Sequence, residues 1–168
     1  MIHKSRQNQG ISIAELIMFI LIASIAYIAL MQIFTFAAEK SAQSEVRTNI
    51  VTLLVKQMET IRSKRFDEKI NPSWTATASL GPDAGETSTS LYDDCDDYAG
   101  LVETNIPGFA SYTRYTRVFY VNPSVSSNDS VGNVSYVKRI IVKVSQPDYG
   151  SLSLTSILSS RTGYTTFQ

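Results

Sequence analysis

The sequence predicts an α+β protein in which a long N-terminal helix, apolar on every side in its first half and striped in its second, packs on a small antiparallel sheet. Three observations predict it. Between residues 11 and 38 the only strongly polar side chains are Glu15 and Gln32. Beyond them Ala42, Val46, Ile50, Leu54, Met58 and Ile61 recur every three or four residues among Glu39, Gln43, Glu45, Arg47, Gln57 and Arg62, the period of a helix with one buried face. Further on, aromatic and β-branched residues gather in runs suited to half-buried strands.

The run 11–38 exceeds the ~20 helical residues that cross a ~30 Å hydrocarbon core, so it is expected to span a membrane. His3, Lys4 and Arg6 precede it without an acid, whereas Glu39 and Lys40 balance each other behind it. Basic flanks stay cytoplasmic, which places residues 39–168, an ordinary domain length, on the other side. Continued to about Lys64, the helix reaches ~80 Å at ~1.5 Å per residue. Residues 112–122 (YTRYTRVFYVN) and 134–144 read as strands, the second with Val134, Tyr136, Ile140, Val142 and Val144 on one side and interrupted only by Lys138. NPSVSSNDSVGN joins them as a long hairpin loop. After the turn Gln146-Pro147-Asp148-Tyr149-Gly150, residues 151–159 (SLSLTSILS) add a third strand and 160–168 a tail. Residues 66–111 are polar and too long for a plain connection, which marks a functional loop region.

The 168 residues carry a formal net charge of zero. No large basic surface is expected, and nucleic acid is not the expected partner; the alternative is a local patch of Arg114, Arg117, Lys138 and Arg139 near Tyr112, Tyr115 and Tyr136. One cysteine, Cys95, excludes an internal disulfide. It reads as a small buried residue, with an exposed thiol or an intermolecular link as the alternatives. The single histidine, His3, lies ahead of the apolar run and Cys95 has no partner base in view, so no enzyme is expected.

Glu15 needs a reason, because a carboxylate within a membrane helix costs ~2.5–3.5 kcal/mol on insertion scales. A secretory signal has a shorter apolar core followed by small residues, and Thr35-Phe36-Ala37 is only a weak site of that kind. Here a small residue, Gly10, precedes Ile11-Ser12-Ile13-Ala14-Glu15-Leu16 and the apolar run. That order resembles the type IV prepilin signal shared by type IV pilins and type II secretion pseudopilins. The resemblance implies a leader, residues 1–10, cut off after Gly10 by a prepilin peptidase, and methylation of the new amine on Ile11, where the family usually has phenylalanine. It further implies a transmembrane and assembly helix at 11–38 and a periplasmic head at 39–168. The chain would sit in the bacterial inner membrane, then in a pilus or pseudopilus with other pilins, built by an inner-membrane assembly platform. Gln32 stands where major pilins often carry a helix-breaking proline.

The amine supplies a partner for Glu15, one turn away on the same chain or, after an axial shift, on a neighbour; the family favours the neighbour. RFDEK (65–69) and LYDDCDDYAGL (91–101), together with METIRSKRFDE, LGPDAGE and VKRIIVKVS, resemble the minor pilin D family of the mannose-sensitive haemagglutinin pilus. A structural or priming subunit of an extracellular filament follows from that resemblance, with a type II secretion minor pseudopilin or a DNA-uptake minor pilin as alternatives. Asp93, Asp94, Asp96 and Asp97 repel one another unless solvated, paired or bound to a hard cation. They read as a turn paired with Arg or Lys and capping backbone groups, as a Ca²⁺ site, or as a subunit contact. No other cofactor is expected.

Overall fold

The computed structural model describes residues 10–69, 74–122, 124 and 130–160; residues 3–6 of the expected leader, half of the 122–133 loop and the tail from 161 lie outside them. The chain divides into two compact units, Met1–Ser44 and Glu45–Gln168. One helix, α1, runs unbroken over Ile13–Arg62. Gln32 leaves the backbone intact, as expected of a residue that keeps the N–H a proline lacks. The last turn closes through Ser63 N–H to Glu59 O and Lys64 N–H to Ile61 O (3.0 and 3.1 Å), where the periodicity ends.

Four strands form one antiparallel sheet in the order β1-β2-β3-β4: β1 (Val102–Glu103), β2 (Thr113–Tyr120), β3 (Val137–Gln146) and β4 (Gly150–Ser159). The two-residue β1 carries no periodicity and is not foreshadowed. The β3–β4 turn is built by Gln146, whose Oε1 accepts from the N–H groups of Asp148 and Tyr149 (2.8 and 2.9 Å), and by Gly150 at φ +84°, a left-handed conformation that glycine adopts without steric cost.

In the second unit the stripe of α1 meets the sheet. Ile50, Leu53, Leu54, Met58 and Ile61 pack with Tyr112, Val118, Ile140, Val142 and Val144, and half-buried Leu152, Leu154 and Leu158 close the β4 side. Each such side chain contributes ~1.5–3 kcal/mol by leaving water. Tyr92, Cys95 and Tyr98 join this core, so the 66–111 region carries core residues as well as exposed ones.

The inward face of β3 departs from expectation. Val134 and Tyr136 are exposed, and Lys138 is fully buried. Ser135 Oγ accepts from Val137 N–H (3.1 Å) and bonds Val121 O (2.7 Å), which turns the chain off the ladder just before Val137. The interruption in the apolar pattern is therefore a core position.

Candidate functional site

Two places carry the residues singled out by the sequence. The first is the start of α1. Gly10 is exposed and a Cβ built on it meets nothing within 4 Å, so the Gly10–Ile11 bond is sterically open. Ser12 caps the helix, its Oγ accepting from Ala14 N–H (3.2 Å) and its carbonyl from Leu16 N–H (3.1 Å). Glu15 occupies the first turn, where the helix dipole favours a negative charge. Among the described residues its exposed side chain makes no hydrogen bond or ion pair. Downstream hydroxyls are satisfied within the helix: Ser24 Oγ donates to Ile20 O (2.7 Å) and Thr35 Oγ1 to Gln32 O (2.9 Å). α1 thus contains a stretch long and apolar enough to cross a bilayer.

The second place is a charge cluster where the end of α1, the acidic loop and β3 meet. Lys138 Nζ donates to Phe66 O (2.6 Å), Asp67 Oδ2 (3.1 Å) and Asp96 Oδ1 (2.6 Å), and it lies 4.5 Å from the ring centroid of Phe66. Asp67 is saturated, accepting from the N–H groups of Lys69 and Thr75 (3.1 and 2.9 Å), from the Thr75 hydroxyl (3.2 Å), and from the Tyr120 hydroxyl (3.4 Å). Burial pulls its carboxyl upward, but the Thr75 amide and the Lys138 ammonium outweigh that and hold it below its ordinary value. Burial opposes the charge on Lys138; the carboxylate of Asp96, by hydrogen bond and by charge, outweighs it and raises the ammonium above its usual range.

The acidic loop is folded by its own carboxylates. Asp97 Oδ2 accepts from the N–H groups of Asp93 and Asp94 (2.9 and 3.0 Å), and Asp94 Oδ1 from those of Asp96 and Asp97 (2.8 and 3.3 Å). Asp93 pairs with Arg65 at the surface and Asp96 with Lys138 inside. Cys95 is fully buried, its amide donating to Arg65 O (3.0 Å) and its thiol to Phe66 O (3.1 Å); burial pushes the thiol up. The thiol is therefore a packing group at neutral pH.

Acids outnumber cations here. Carboxylate oxygens of Asp67, Glu68 and Asp94 lie within 4.8 Å of one another, as do those of Asp83, Glu86 and Asp97, and those of Asp93, Asp94 and Asp97. The Asp83 carboxyl beside Glu68, together with burial, raises Glu68 to about 7. Burial and the Asp96 carboxyl raise Asp94 to about 8. Burial, opposed by the Asp94 and Asp93 amides and reinforced by Glu86, raises Asp97 to about 6. In the sequence Asp67 and Glu68 stood out only within RFDEK, Asp83 and Glu86 only within LGPDAGE, and Lys138 as a break in a strand and a member of a candidate basic patch; none was assigned to this cluster. The signal for a buried pairing was a lysine at an inward position of a period-two strand.

The four basic residues considered for nucleic acid do not share one surface: Arg117 and Arg139 lie on the outward face of the sheet, Arg114 and Lys138 on the opposite one. Arg114 and Lys138 are buried on the helix side of the sheet, Arg114 held by Glu103 through two bonds (2.7 and 2.9 Å). Arg117 is exposed and stacks on Phe119, 4.8 Å from its centroid. Comparison with protein-family models, curated proteins and solved structures finds no match, so a functional reading rests on these residues.

Proposed function

We propose that the chain is a filament subunit, a minor pilin of the type IV class of the mannose-sensitive haemagglutinin kind, processed after Gly10 and assembled through its apolar helix. The observation that carries this reading is an open Gly10–Ile11 junction directly ahead of an unbroken helix whose apolar first turns hold one carboxylate, Glu15. The small α+β unit that follows is the expected head. Hydrolysis of the Gly10–Ile11 peptide bond by water leaves a carboxylate on Gly10 and an amine on Ile11; in its deprotonated form that amine would take a methyl group from a sulfonium methyl donor, releasing the donor's thioether, and then carry its charge as a methylated ammonium.

In apolar surroundings that ammonium and Glu15 attract far more strongly than in water, and each is costly if left alone. Pairing between neighbours displaced along an axis fixes a register in an open, heterologous assembly, which is the symmetry of a filament. Mass spectrometry of membranes from cells co-expressing a prepilin peptidase tests the reading. Ile11 is expected as the first residue, with an added methyl group. A terminus at Met1, or at Ala38 after conventional signal cleavage, would refute it.

A further inference from the structure

We propose that Asp94 and Glu68, with Asp67 beside them, form a binding site for a hard divalent cation, Ca²⁺ in preference to Mg²⁺, at the junction of the acidic loop and the end of α1. The decisive observation is at the centre. Asp94 is 1% exposed, its Oδ1 is taken up by two backbone amides, and its Oδ2 is buried without a hydrogen-bond partner. A buried carboxylate oxygen left empty is costly, and native structures fill such positions with a donor, a water or an ion.

The neighbours say which. Oxygens of Asp94, Glu68 and Asp67 fall within 4.8 Å of one another, about twice a Ca–O distance of ~2.4 Å, and the Asp83 carboxyl lies within hydrogen-bond reach of Glu68. Asp67 already holds five donors, Lys138 among them, and Asp93 and Asp96 are spent on Arg65 and Lys138. Asp94, Glu68 and Asp83 are left with no Lys or Arg partner among the described residues. Two carboxylates without a cationic partner, Asp94 on the acidic loop and Glu68 just past the end of α1, with Asp67 at their side, suit the irregular oxygen coordination of Ca²⁺ better than the strict octahedron of Mg²⁺.

The test is calorimetric titration of CaCl₂ into the full chain in detergent, stripped with a chelator, at slightly alkaline pH. One Ca²⁺ per chain is expected with Kd below about 1 mM, a rise in unfolding temperature with added Ca²⁺, and weaker binding of Mg²⁺. Glu68→Gln, at a half-exposed position, and Asp94→Asn are each expected to weaken Ca²⁺ binding by about tenfold or more through the loss of a charged ligand, while Asp93→Asn leaves it unchanged. Integrity of the variants is read from Cys95, which stays unreactive toward thiol reagents while the core is closed. Absence of Ca²⁺ binding to folded wild type, undiminished binding in Glu68→Gln, or loss in Asp93→Asn with retention in Glu68→Gln would each overturn the site.

Discussion

Replacing Lys138 by methionine removes the one cation buried inside the acidic cluster among the described residues while keeping its volume. Lys138 is fully buried and holds Asp67 and Asp96, themselves 5% and 3% exposed. Asp67 keeps four other donors, but Asp96 loses its cation and Phe66 O keeps only the weak Cys95 thiol as donor. Breaking a buried pair from one side costs ~3–5 kcal/mol because a charge is left unpaired in low dielectric. At ~4 °C per kcal/mol for a domain of intermediate size, the head should unfold ~12–20 °C lower, near the limit of what a typical domain stability of ~5–15 kcal/mol tolerates. Thermal unfolding followed by near-ultraviolet circular dichroism measures this. Adding Asp96→Asn removes the stranded charge, so the double variant should recover ~1–2 kcal/mol of the loss, as expected of residues in one network. A single variant within ~0.5 kcal/mol of wild type, or a double variant whose losses simply add, would refute the account of Lys138 as the neutralising core of the cluster.

Other outcomes follow from the same geometry. Glu15→Ala should insert and be processed normally, since losing a charge eases insertion, yet incorporate poorly into filaments; Glu15→Asp should be intermediate and Glu15→Gln close to alanine, and normal incorporation of Glu15→Ala would defeat the pairing. Arg114→Leu should cost only ~1–2 kcal/mol by denaturant midpoint, because its partner Glu103 retains 24% side-chain exposure and water screens the stranded acid; a loss exceeding that of Lys138→Met would contradict this. Burial raises the phenols of Tyr98 and Tyr120 above their ordinary value. Their folded-state pKa thus exceeds the unfolded ~10, so their contribution to stability is intact below pH ~10 and lost as pH rises through the folded pKa. Ionisation of Tyr98 and Tyr120, followed by tyrosinate absorbance in variants that keep only these phenols, should occur together with unfolding; their ionisation with the fold intact would refute it.

The sequence by itself determined the long helix, the single stripe of its second half, buried from Ile50 onward although Ala42 stays exposed, its end near Lys64, and three of the four strands, because hydrophobic period is a local property that survives without knowledge of partners. It also marked Gly10, Ile11 and Glu15, whose chemistry depends on order along one segment, and placed Cys95 among the buried residues on account of its size. What only the tertiary structure decided were the pairings. Lys138 looked like a flaw in a strand because its partners, Asp67 and Asp96, lie far away in sequence and come together only when the acidic loop docks on the end of the helix. The four aspartates around Cys95 were visible as a cluster, but their division of labour was not. Which of them meets a cation, which caps backbone amides and which keeps an empty oxygen is set by distances of a few ångströms across segments that no local pattern relates.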